Sequence, residues 1–159
     1  MRFRTLVFAL ALGAGFWSLT GRAEEPLLAV IVAAARADQP SDDEIAQIFK
    51  RKKLFWDDGS RIQPVNLPAD HPLRRRLMRD VLHQSADAQQ EYWNEQYFHG
   101  VLPPHVLASE EAMLRFVAGT GTAIGYLPAC PIDPRVRAVL WVSADGRVMR
   151  PEGAPACGG

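Results

Sequence analysis

The stretch DHPLRRRLMRD (70–80) sets an Asp, a His and a Pro directly ahead of three consecutive arginines, at what reads as the first turn of a helix. A helix N-terminus presents free backbone N–H groups and the positive end of the helix dipole, a combination that holds oxyanions. Pro72 removes one of those donors and Leu73 adds bulk, whereas the Arg74 guanidinium can offer a bidentate fork near the same end. Asp70, His71 and Arg74 are therefore candidate ligand-binding residues, with a structural or solvated role for Arg74 as the alternative. Leu73, Leu77, Met78 and Val81 recur at helical spacing and define the expected buried side, which leaves Arg75, Arg76 and Arg79 turned to water. A second candidate lies in AGTGTAIGY, where Thr120 and Thr122 could present hydroxyls at the entrance to a strand near a cleft. The alternative is that this Gly-Thr-Gly segment is only the turn between a helix and a strand.

Catalytic and metal chemistry find no pattern to rest on. His71, His83, His99 and His105 have no metal-ligand spacing, and neither a GxSxG elbow nor a P-loop occurs, so no enzyme activity, metal or cofactor is expected. The basic run KRKK (50–53) follows a predicted helix, where cations suit the negative end of the dipole; a partner-docking patch is the other reading. Tyr92, Trp93, Tyr97 and Phe98 share one helix and read as core or cleft wall, the i, i+4 spacing of Trp93 and Tyr97 predicting one buried stripe, against a surface patch for a partner.

The elements that must position these residues can be read along the chain. LLAVIVAAA (27–35) is an apolar run of strand length rich in Val and Ile, which favours a central strand. SDDEIAQIFK carries the capping-box spacing from Ser41 to Glu44, so a helix over about 42–50 should bury Ile45, Ile48 and Phe49. Asp58-Gly59 signals a tight turn into a strand at 61–66, kept short or at an edge by Pro64. Helices follow from Pro72 to about His83, from Ser85 through Phe98, and from Ser109 to Gly119. A strand in TAIGYLP and a hairpin turning at Asp145-Gly146 complete the domain. This order predicts an α/β domain with a mixed, partly parallel sheet flanked by helices.

Arg2 and Arg4, the 15-residue apolar run TLVFALALGAGFWSL and the small residues Gly21 and Ala23 have the order of a secretory signal peptide over 1–23. That run is shorter than the roughly 20 residues a spanning helix needs; an uncleaved anchor is the alternative. A single domain over 24–150 and a tail over 151–159 are expected. Without Arg2, Arg4 and Arg22 the remainder carries 15 basic and 18 acidic residues, a formal charge of −3, which gives no footprint for nucleic acid or an anionic membrane. Export would permit a disulfide between Cys130 and Cys157, the only cysteines, and it would pin the tail; two unpaired thiols are the alternative.

Over residues 29–128 the landmarks accumulate in a specific order. They are IF before a basic segment, WDDG before a strand, LPADHPLR entering a helix, YW and FHG around the next helix, LPP, and AIGYLP after a Val-Ala-Gly helix end. Together they resemble the short secreted proteins related to the substrate-binding component of phosphate ABC transporters, of the periplasmic binding protein type II fold. The resemblance implies a periplasmic or secreted, non-catalytic module. In the full-length transport proteins phosphate sits between two lobes, held by an Arg followed by Asp and by a Ser-Gly-Thr turn at a helix N-terminus. Here the comparable stretch reads VNLPADHPLR, with Asp70 in place of the Asp and His71-Pro72-Leu73 in place of the small hydroxyl residues. The expected function is weak binding of a small oxyanion such as phosphate, or an accessory role in phosphate uptake. The alternative is an envelope protein–protein interaction module that has lost its ligand.

Overall fold

The computed structural model describes residues 25–130, 132–153 and 155. The expected signal peptide and Cys157 lie outside the described residues, and so does the bond expected between Cys157 and Cys130.

The elements run β1 (Leu28–Ala33), α1 (Asp42–Phe49), β2 (Gln63–Asn66), α2 (Pro72–Asp80), α3 (Ala86–Phe98), β3 (His105–Val106), α4 (Glu110–Gly119), β4 (Ala123–Pro128), β5 (Val136–Val142) and β6 (Val148–Met149). They form a six-stranded sheet in the order β3-β2-β4-β1-β5-β6. β2 pairs in parallel with both β3 and β4, whereas β1 is antiparallel to β4 and β5, so the sheet is mixed as expected. Every residue of β1 is buried, which is what a continuous apolar run flanked by a strand on each side, β4 and β5, produces. Pro64 leaves β2 short but not at an edge, because the two-residue β3 lies outside it.

Local signals set the helix starts. Ser41 accepts from the Glu44 N–H while the Glu44 carboxylate accepts from the Ser41 N–H, and Ile45, Ile48 and Phe49 are buried. Ser85 and Ser109 cap α3 and α4 by accepting from the Ala88 and Ala112 N–H groups. Adjacent residues of β4 then show how the layers stack. A Cβ on Gly125 would lie 2.3 Å from Met113 Sδ and 3.0 Å from Val117 Cγ2, so α4 covers that face at the closest approach a residue without a side chain permits. The next side chain, Tyr126, points to the opposite face and meets Phe49 of α1 edge-on at 5.9 Å.

Two expectations about the helices need correction. Arg76 does not face water: it is 3% exposed and donates to the carbonyl oxygens of Pro26, Val142 (3.1 Å) and Ser143 (3.0 Å). Its Nε also stands 3.1 Å from a Glu25 carboxylate oxygen, an ion pair too bent for a hydrogen bond. On α2 only Pro72, Arg75 and Arg79 are exposed, a narrow stripe, because the helix is covered on both flanks. Tyr97 is not buried: it is 67% exposed, Trp93 is half-buried, and Gln89 is the one buried residue of α3. The sheet has α1 and α4 on its faces already, and α3 lies outside them, tied to α1 by the Tyr92 hydroxyl donating to the Lys50 carbonyl at 2.7 Å.

Candidate functional site

The five residues singled out for ligand binding fall at opposite ends of β2. Gln63, at its start, is paired with Ala123, and there Thr122 accepts from the Gln63 side-chain amide at 3.0 Å. The Thr122 carbonyl accepts from Trp56 Nε1 at 3.0 Å, and the Arg36 guanidinium stacks 4.9 Å over the Trp56 ring. Arg36 is in turn held by Asp38 (2.7 Å), Ser60 (3.2 Å) and the Gly121 carbonyl. Thr120 caps the end of α4 beside this cluster. Thr122 is thereby tied to Gln63 and Trp56 at the turn between α4 and β4. The WDDG landmark belongs to the same clamp: Asp58 accepts from the Ser60 N–H, and Gly59 supplies the positive φ the turn requires.

Asp70, His71 and Arg74 lie beyond the other end of β2. The N-terminus of α2 is not open to an anion in the way its position suggested. His71 Nδ1 accepts from the Leu73 N–H at 3.3 Å, Pro72 has no N–H, and His71 Nε2 lies 3.5 Å from Glu110 Oε1 at the start of α4. The helix end is therefore occupied by its own imidazole, with a carboxylate behind it that would repel an anion. Asp70 is exposed, and its carbonyl accepts from Arg75.

Arg74 turns inward. It is 9% exposed, and its Nη1 donates to the Leu67 carbonyl at 2.8 Å, which pins the loop between β2 and α2. Close by, Tyr126 accepts from the Leu67 N–H (3.0 Å) and donates to Asn66 Oδ1 (3.1 Å), and burial pushes its phenol far above the ordinary range. Arg74 also lines a groove of about 830 Å³ between α2 and α3. The floor and walls include Met78, Gln84, Gln89 and Trp93, and the rim carries Arg75, Arg79 and His83; among the described residues no carboxylate lines it. Arg79 is already engaged by Asp80 through two hydrogen bonds, of 2.7 and 3.0 Å. Three polar atoms of the lining, Arg74 Nε, Trp93 Nε1 and Gln84 Oε1, are buried without a hydrogen-bond partner among the described residues.

Comparison with solved structures finds a similar fold. One match is an ABC-type phosphate transport receptor from Vibrio cholerae, with a TM-score of 0.57 and 18% identity over 71% of this chain and 46% of the receptor. Another is a Clostridium perfringens protein described as a phosphate ABC transporter substrate-binding protein and solved with bound phosphate, with a TM-score of 0.58 and 16% identity over 72% of this chain and 45% of that one.

The fold is that of the phosphate transport receptors.

At these identities the likeness concerns the receptor fold and nothing finer, and the chain spans less than half the length of either protein. No protein-family model matches the sequence, and no curated protein does either. Of the groove residues, the sequence singles out Trp93, as core or cleft wall, but not Gln84 or Gln89. Gln89 could have been suspected, since it is a polar residue on the inner side of α3, four positions before Trp93. Nothing local marks Gln84. Among the described residues no helix is long and apolar enough to cross a membrane, and no three His, Cys, Asp or Glu residues stand close enough together to hold a metal.

Proposed function

We propose that the chain is an exported, non-catalytic, solute-binding-like module that holds a small oxyanion weakly, as an accessory to phosphate uptake. The observation that carries this is the buried Arg74 guanidinium, with an unpartnered Nε, in a groove that no carboxylate lines. Charged donors of this kind are the strongest hydrogen-bonding groups a protein offers to phosphate, sulfate or carboxylate. The receptors that share the fold are phosphate transport proteins, one of them solved with phosphate bound. Weak affinity follows from an open groove on one side of a single domain, which leaves part of the ion in water. Calorimetric titration of residues 24–159 with phosphate, sulfate and a dicarboxylate tests the reading, with heat expected in the millimolar range and declining with added salt. Absence of heat for all three would overturn it.

A second reading, an envelope module that docks a protein partner, is favoured by the exposed Tyr97, Phe98, Leu102 and Val106. These residues follow one another from the end of α3 into the edge strand β3. Tyr97→Ala separates the cases: under this reading it weakens partner binding while costing stability less than about 0.5 kcal/mol, as an exposed side chain should. A cost above about 2 kcal/mol would make the residue structural.

A further inference from the structure

The groove between α2 and α3 is built for more than a bare inorganic ion. Its volume of about 830 Å³ belongs to the class of small-molecule sites, roughly 300–1,000 Å³, whereas a tetrahedral oxyanion has five heavy atoms and occupies on the order of a hundred cubic ångströms. Much of the remaining surface is apolar: Ala69, Met78, Ala86 and the Trp93 ring. Arg74 and Trp93 line the groove from α2 and α3, one from each helix, and Gln84 lines it from the connection between them. A lone phosphate or sulfate would satisfy the Arg74 side and leave the indole face and Met78 against water.

We infer that the groove takes an organic anion, a phosphate or carboxylate head joined to an aromatic or compact apolar body. The head lies on the Arg74 side of the groove, and the body lies against Trp93 and Met78. The rim cations Arg75 and His83 add long-range attraction for the negative head; Arg79 adds less, since Asp80 neutralises it at 2.7 Å. This inference rests on the oxyanion reading above and names the class of ligand for that site. Burying an aromatic ring against Trp93 adds apolar area that inorganic phosphate lacks, which is the physical source of the preference.

The test is calorimetry on residues 24–159 with four probes: inorganic phosphate, phenyl phosphate, benzoate and benzyl alcohol. Phenyl phosphate and benzoate are expected to bind at least tenfold more tightly than either inorganic phosphate or the neutral alcohol. Arg74→Lys should weaken both aryl anions about tenfold. Because Arg74 also holds the Leu67 carbonyl, Trp93→Leu on the outer helix serves as the second variant. It should narrow the gap between phenyl phosphate and inorganic phosphate to threefold or less. If inorganic phosphate binds as tightly as phenyl phosphate, the organic body is refuted and the oxyanion reading stands. Benzyl alcohol binding as well as benzoate would refute the role of the charged head. Aryl binding that survives Trp93→Leu unchanged would place the ligand elsewhere, and no binding of any probe would remove both readings.

Discussion

Arg76 is the side chain on which the packing of α2 against the sheet most depends, and Arg76→Met measures how much. Methionine approximates the length and apolar stem but supplies no donor. In the native protein the guanidinium serves three carbonyl oxygens that no local pattern brings together: Pro26 just before β1, Val142 at the end of β5, and Ser143 just after it. Each hydrogen bond from a charged donor contributes about 1.5–3 kcal/mol in mutational series, and the three are not additive because they share one side chain. The Glu25 ion pair adds little, since its carboxylate is 54% exposed and screened. Removing the donor takes a charged hydrogen bond from the Val142 carbonyl in the buried interior, while water can reach Pro26 and Ser143 in part. The expected loss is about 3–5 kcal/mol, the range for breaking one side of a buried charged network. For a domain near 130 residues that corresponds to a fall in Tm of roughly 10–20 °C. Urea unfolding followed by circular dichroism gives the free energy directly, provided the m-value stays constant. Arg75→Ala, on the exposed stripe of the same helix, is the control and should change stability by no more than about 0.5 kcal/mol. A loss below about 1 kcal/mol for Arg76→Met, or equal losses for the two variants, would refute the argument that burial and the three carbonyls decide this arginine's role.

Tyr126→Phe should cost about 1–3 kcal/mol in equilibrium unfolding, because it leaves the buried Leu67 N–H and Asn66 amide without the hydroxyl that joins them. Gly125→Ala should cost about 1–3 kcal/mol by overpacking, since the new methyl would overlap Met113, itself fully buried; pairing it with Met113→Ala should return part of the loss. Asp133 should titrate at about 2 rather than 3.8 by carboxyl NMR, the Arg135 side chain and N–H holding it ionised. A lowered folded-state pKa means that the contribution to stability is present above pH 4 and is lost as the pH falls toward 2. In Arg135→Ala the titration should move back toward 3.8.

Wherever the determinants are local, the sequence and the structure agree. The Ser41–Glu44 box, the caps Ser85 and Ser109, the Asp58-Gly59 and Asp145-Gly146 turns and the apolar run of β1 act within a few residues, so spacing alone was enough to place α1, α3, α4 and the central strand. The mixed sheet also followed from element order. What the sequence could not show was which side of a helix meets other chain. Leu73 and Leu77 announce a buried stripe on α2, but Arg74 and Arg76 are buried as well, because carbonyls from loops and strand ends distant in sequence converge on them. The acceptors of Arg76 are 50, 66 and 67 residues away. A guanidinium is recruited to such a place by the summed demand of orphan carbonyls, and that demand exists only after the sheet has assembled. The reverse holds for α3, whose aromatic spacing predicts burial while its position outside α1 and α4 leaves Tyr97 in water. The candidate site divides in the same way. His71 and Thr122 were legible as polar groups at element ends, but the parallel register of β2 and β4 sets them at opposite ends of a strand. The groove that Arg74 shares with Trp93 and Gln84 depends on how two helices lean together, a property of packing that no residue spacing encodes.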